Sequence, residues 1–214
     1  SDVYKRQDLY DAILCGNLKM AVETTKDLLN EGYDPQQIIN EYMAAAMCEV
    51  GNRFEVGKAF IPELLMAARA MKGALEILKP RMTSTGIAGA NKVVIGTVKG
   101  DLHDVGKNLV ASMLEGNGFE VINLGVDISA DKFVDAVKEH QPQIVCLSAL
   151  LTTTMDYMRT VIQALEDNGL RKQVKVMVGG APLSESFARQ IGADGYSNNA
   201  NAAVTLARSL TTIV

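Results

Sequence analysis

One of the two histidines in the sequence, His103, stands in the stretch Gly100-Asp101-Leu102-His103-Asp104-Val105-Gly106-Lys107. A carboxylate lies two residues before it and glycines bound it on both sides. An imidazole flanked in this way suits a metal ligand. One ring nitrogen binds, and a carboxylate on the other fixes the tautomer and raises basicity. The same residues also fit a surface histidine in a polar turn, and the spacing alone leaves both readings open. Gly106-Lys107 raises phosphate binding as a third chemistry. However, the spacing from Gly100 is one residue too long for G-x-x-x-x-G-K, and Asn108 stands where Ser or Thr would hold magnesium. A nucleoside-triphosphate site is a poor match.

The elements around this stretch place it. Lys92-Val93-Val94-Ile95-Gly96-Thr97-Val98 reads as a strand before it, and Asn108 to Leu114 as a helix after it. The loop therefore falls at the carboxyl end of a first strand, where open α/β sheets bind ligands. Further apolar runs at Val121–Leu124, Ile144–Leu147 and Val174–Val178 alternate with amphipathic segments at Lys107–Glu115, Ala130–His140, Thr154–Asn168 and Ser184–Ile191. A short strand near Gly195-Tyr196 and a helix from about Ala200 complete the pattern. Such alternation predicts βαβ units and a doubly wound parallel sheet of five strands in flavodoxin-like order, with both faces buried. His140, at a helix end before Pro142, reads as a solvated residue favouring the helix dipole.

The first part of the chain reads as helical. Leu9, Ile13 and Leu14 share one side of a helix from Asp8 to Cys15, stopped by Gly16. Asn17 can cap the next, which runs to Gly32. Asp34-Pro35 is a helix start, and Ile38, Ile39, Tyr42, Met43, Ala46, Met47 and Val50 form an apolar stripe that ends near Gly51. A break at Phe54–Phe60 precedes Ile61-Pro62-Glu63 and a last long helix to Leu78. These helices predict a small four-helix bundle. Its methionines, among them Met20, Met43, Met47, Met66 and Met71, read as core. Thr83–Ala90 is small, polar and without periodicity, a linker. The expected organisation is a helical domain over 1–82, a linker over 83–90 and an α/β domain over 91–214.

Asp101-x-His103-x-x-Gly106, then Ser148-x-Leu150, then Gly179-Gly180, resembles the three-part signature of cobalamin-binding domains of the base-off, histidine-on type. The resemblance implies His103 as the lower axial ligand of cobalt, with Asp101 hydrogen-bonded to its other nitrogen. Where the family carries a serine that extends this relay, Thr154 stands here. Asp104, Gly106 and Leu150 are further implied cofactor contacts. Ser148 and Thr152 would line a pocket for the corrinoid's nucleotide tail, beside Gly179 and Gly180. The segment Gly51-x-x-Phe54-x-x-Gly57-x-x-Phe60-Ile61-Pro62 resembles one in the helical cap of the family's methyl carriers. By that likeness Phe54 and Ile61 would touch the region of the reactive upper ligand. The cofactor so implied is cobalamin or a related corrinoid, with its cobalt.

A net charge of −4 over 214 residues offers no electrostatic footprint for nucleic acid or an anionic membrane. Without an apolar run of about 18 residues the chain is expected to be soluble and cytoplasmic. Cys15, Cys48 and Cys146 form no C-x-x-C pair, which argues against a zinc site or disulfide framework. The resemblance to carriers of the methylamine and methanol systems implies a methyl-carrier subunit, not catalytic alone. Its partners would be a substrate-specific methyltransferase, a second methyltransferase serving tetrahydrofolate or coenzyme M, and a reductive activase. A cobalamin-dependent sensor would add a basic DNA-binding element, which the acidic sequence does not display. A radical mutase subunit would share the histidine loop, but the carrier-like helical segment counts against it.

Overall fold

The structure, a computed structural model, describes residues 2–82 and 91–211; the expected linker at Thr83–Ala90 lies outside the described residues. The chain divides into two compact units, Ser1–Ala90 with Glu115–Gly118, and Asn91–Leu114 with Phe119–Val214.

The first unit is helical: α1 (Asp2–Leu14), α2 (Leu18–Asn30), α3 (Pro35–Ile38), a π-helical turn (Ile39–Met43), α4 (Ala44–Glu55) and α5 (Ile61–Leu78). Local chemistry fixes its boundaries. The Asn17 side chain accepts the Met20 N–H, and Asp34 accepts the Gln37 N–H ahead of Pro35. Glu63 reaches back to the Phe60 N–H at 3.0 Å, closing the start of α5. Leu9, Ile13, Leu28, Ile38, Met43, Leu64 and Leu78 are fully buried and form the core.

Three helical details differ from the sequence expectation. Helix α1 starts at Asp2, ahead of Asp8, because Arg6 lies over the rings of Tyr33 and Tyr42, 5.3 and 5.2 Å from their centroids. That cation–π pairing is invisible to apolar periodicity. Helix α4 runs past the buried Gly51 to Glu55, its last turn polar and exposed, so Phe54 sits on helix and not in the break. Met43, Met47 and Met71 are core, whereas Met20 and Met66 are exposed.

The second unit carries β1 (Lys92–Val98), β2 (Glu120–Ile128), β3 (Ile144–Ser148), β4 (Lys175–Gly179) and β5 (Gly195–Ser197). All pair in parallel in the order β2-β1-β3-β4-β5. Helices α6 (Val105–Gly116), α7 (Ala130–His140), α8 (Thr152–Met155), α9 (Tyr157–Asp167), α10 (Glu185–Ile191) and α11 (Ala200–Thr211) complete the doubly wound α/β fold. Ser129 and Ser184 cap α7 and α10. Phe133, Val145, Leu147, Met158, Val161 and Val176 belong to a core against the sheet, and each is buried because parallel strands are covered on both faces.

Two departures here bear on the site. Strand β2 continues past Leu124 to Ile128, with register shifts against β1 between Ile95 and Gly96 and between Gly96 and Val98. The helix expected from Thr154 is two helices, because a short turn of β-branched threonines comes first and α9 starts afresh at Tyr157. Among the described residues no helix is long and apolar enough to cross a membrane.

Candidate functional site

Strand β1 has β2 on one side and β3 on the other, so the chain reverses its winding between β1 and β3. Open α/β sheets bind ligands at such a reversal, in the crevice outside the carboxyl ends of the strands. Asp101–Asp104 leave β1 on one lip, and Ala149–Leu151 leave β3 on the other.

Asp101 is fully buried at their junction. Its Oδ1 accepts the His103 N–H at 3.1 Å and lies 2.7 Å from His103 Nδ1. Its Oδ2 accepts the Leu150 and Leu151 N–H groups at 2.8 and 3.3 Å and the Thr154 hydroxyl at 2.7 Å. Burial alone would push this carboxyl up. The donors from Thr154, Leu150 and His103 overcome it and hold Asp101 well below the usual carboxylate range. Asp101 is therefore ionised and can only accept, so His103 Nδ1 carries the proton. With the proton on Nδ1, the ring's other nitrogen, Nε2, has no hydrogen-bond partner among the described residues, on a side chain that is 50% exposed. This arrangement presents one oriented nitrogen donor to the crevice.

The loop is braced by further contacts, two of them from Thr97 and Asn123, which the sequence did not single out. The buried Thr97 hydroxyl donates to the His103 carbonyl at 2.8 Å. Lys107, also buried, donates from Nζ to the Asn108 and Asn123 side-chain oxygens, each at 2.7 Å. Burial pushes its ammonium below the ordinary lysine range, against a smaller raising effect of Asp104. Asp104 itself accepts the Asn108 backbone and side-chain N–H groups at the start of α6.

The other sequence-marked residues divide by unit. In strand register Thr97 faces Ser148, Ser148 faces Gly179 and Gly179 faces Ser197, a row of small residues along the carboxyl edge. Thr152, exposed, opens α8. At Gly180, with φ of 137°, a Cβ would sit 1.7 Å from the Ala149 carbonyl oxygen, so chain packing demands this glycine. At Gly106 a Cβ would meet no protein atom within 4 Å, so the fold does not. Phe54, half-buried on α4, and Ile61, exposed at the first turn of α5, belong to the helical unit.

These residues fit a corrinoid. His103 supplies a single free donor, which suits a metal that arrives with its equatorial positions filled. Leu102, Val105, Leu150 and Leu151 are exposed around it, an apolar rim suited to a broad macrocycle. Gly106 leaves open space beside the loop.

Fold and site together define a corrinoid-binding protein, and comparison with known proteins agrees. Residues 91–205 match the B12 binding domain family, and residues 5–79 match a second family described as B12 binding domain. Trimethylamine corrinoid protein 1 of Methanosarcina acetivorans is 42% identical over 202 residues, covering 94% of each chain. Dimethylamine corrinoid protein 1 of the same organism is 45% identical over 201 residues, 94% of this chain and 90% of its own. The crystal structure of the methanol:cobalamin methyltransferase complex MtaBC from Methanosarcina barkeri includes a similar chain. Its TM-score is 0.83 at 29% identity, over 99% of this chain and 81% of that one. The chain belongs to the B12-binding corrinoid protein family, and a corrinoid is its cofactor.

Proposed function

We propose that the chain carries a methyl group on a bound corrinoid between a substrate-specific methyltransferase and a second methyltransferase that serves tetrahydrofolate or coenzyme M. A reductive activase is a further proposed partner. The observation that carries this reading is the oriented imidazole, with Nδ1 bonded to an ionised Asp101 and Nε2 open at the crevice. When bound, the corrinoid supplies a cobalt centre that accepts and gives up a methyl group.

The chain's residues supply ligation and control. His103 would hold the metal, and Asp101 would fix the ring and tune its basicity through the Nδ1 proton. Thr154 stabilises the ionised carboxylate. Leu102, Val105 and Leu150 give the macrocycle an apolar seat, with Asp104 and Gly106 beside it. Ser148, Thr152, Gly179 and Gly180 are the proposed surroundings of the nucleotide tail. Phe54 and Ile61 are the proposed contacts near the reactive ligand. The named methylamine relatives and the MtaBC complex support both the cargo and a methyltransferase partner.

The test is reconstitution with cobalamin under reducing conditions. The loaded protein is incubated with purified methylamine and methanol methyltransferases and isotopically labelled donors. Label that co-elutes with the corrinoid protein, and moves onward when an acceptor methyltransferase is added, is the expected result. Tight corrinoid binding without label transfer from any donor would overturn the carrier reading.

A further inference from the structure

Two non-glycine residues among the described ones have positive φ: Gln141 and Asp127. Gln141 is an ordinary left-handed helix cap behind α7. Asp127, with φ of 54°, has no such reason, since it lies inside strand β2. It is also where β2 leaves regular register with β1. An acid in this region of backbone space is tolerated but not preferred, so its surroundings must hold it there.

Those surroundings are the histidine loop. The Asp127 carboxylate accepts the Gly100 N–H at 2.7 Å, and the Asp127 N–H donates to the Asp101 carbonyl at 3.0 Å. Gly100, in the turn after β1, also has positive φ, 85°, so it and Asp127 on β2, both left-handed, meet in a two-point clamp. Asp101 is thereby gripped twice: its main chain from β2, its side chain from the loop after β3. The β2 bulge is tied down on its other side as well. Asn123 Oδ1 accepts the Gly125 N–H at 3.0 Å and the Lys107 Nζ at 2.7 Å.

We propose that Asp127 is a positioning residue for the cobalt-ligating histidine. Its carboxylate and backbone N–H set the height of Gly100 and Asp101, and so the direction in which His103 Nε2 is offered. Asp127 touches neither the metal nor the macrocycle. The proposal rests on the reading of His103 as the axial ligand.

Two variants separate backbone from side chain. Asp127→Gly keeps the left-handed conformation and deletes the acceptor. Asp127→Asn keeps both the conformation and an oxygen acceptor. Cobalamin affinity and the nitrogen hyperfine splitting of the Co(II) electron-spin spectrum are measured on loaded protein, and amide hydrogen exchange at Gly100 on the apoprotein. Asp127→Gly should weaken cobalamin binding about tenfold, the lower end for groups that orient a ligand. It should also reduce the nitrogen-coupled fraction and expose Gly100 to exchange. Asp127→Asn should stay within about twofold of the parent on every readout. Equal affinity and spectra in Asp127→Gly and parent would overturn the proposal, as would a loss that Asp127→Asn does not rescue. A parent protein without nitrogen coupling would sink the His103 reading instead. The Gly100 exchange rates then still decide whether the clamp exists, and unchanged exchange in Asp127→Gly would overturn it.

Discussion

Thr154 Oγ1 and Asp101 Oδ2 lie 2.7 Å apart although 53 residues separate them in the chain. The contact joins the loop after β1 to the turn after β3, across the point where the sheet reverses its winding. The donor is a hydroxyl and the acceptor an ionised carboxylate, so the bond belongs to the stronger, charge-assisted kind. Thr154→Val removes the hydroxyl and keeps the shape. It should destabilise the protein by about 1.5–3 kcal/mol, the range for a hydrogen bond to a charged group. Thr154→Ser should restore most of the loss. Denaturant midpoints at constant slope read this directly, and a valine variant as stable as the parent would show that the two backbone donors suffice.

Asp101→Asn places an amide where the pocket supplies only donors to Oδ2 and needs an acceptor for His103 Nδ1. The protein should fold with stability lowered by about 1–3 kcal/mol, the cost of leaving buried groups unmatched. The pH dependence has a definite sign. Because the native carboxyl is held below its unfolded value of about 3.9, its contribution is present above that pH and lost as pH falls toward the native value. Acid unfolding of the parent should therefore steepen below about pH 4, and the asparagine variant should show a shallower acid limb. Parallel acid limbs in the two proteins would contradict the assignment.

His103→Ala should leave the fold intact, since half of the side chain is exposed, its ring bonds to Asp101, and the backbone bonds to Asp101 and Thr97 survive the substitution. It should reduce cobalamin affinity by more than about tenfold, because even the partners that orient a metal ligand contribute 10–100-fold. It should also abolish the axial-nitrogen signature in the Co(II) spectrum. Added imidazole should restore part of that signature. Unchanged binding and spectra would remove His103 as the ligand.

The three thiols should separate cleanly by reactivity. Cys15 and Cys48 are exposed, while Cys146 is buried in β3 and its thiol is pushed up to about 12 by that burial. A thiol reagent at neutral pH should titrate Cys15 and Cys48 in the native protein, and Cys146 after denaturation, because thiolate and access are both required. Labelling of Cys146 in the native protein, located by peptide mapping, would show that the sheet opens.

Much of this fold is written in periodicity. The alternation of apolar runs with amphipathic segments predicts the parallel sheet and its β2-β1-β3-β4-β5 order, because right-handed crossovers leave few other arrangements. Asp101 and His103 are legible for a different reason: their contact is local and fits a two-residue spacing. Thr97, Asp127 and the Lys107–Asn123 pair are not legible, since each acts through a partner on another element. The bulge that brings Asp127 to Gly100 is a property of register, which no single strand encodes. The one available signal was Gly125-Val126-Asp127, two residues tolerant of positive φ placed close together in an apolar run. Likewise α1 reaches back to Asp2 through an arginine stacked on two tyrosines, and no hydrophobic stripe announces that.

The buried carboxylate takes its partners from its own loop and from the segment after β3. A peptide of the loop alone would keep Asp101 beside His103 but lose the Leu150, Leu151 and Thr154 donors that keep Asp101 charged. The tautomer of the imidazole is thus decided not by its own neighbours in the chain but by whether β1 and β3 are zipped together. Ligand strength becomes a gauge of tertiary integrity. Any partner that strains the crevice between these strands would loosen the grip on Asp101 and retune His103 from a distance, without touching either residue.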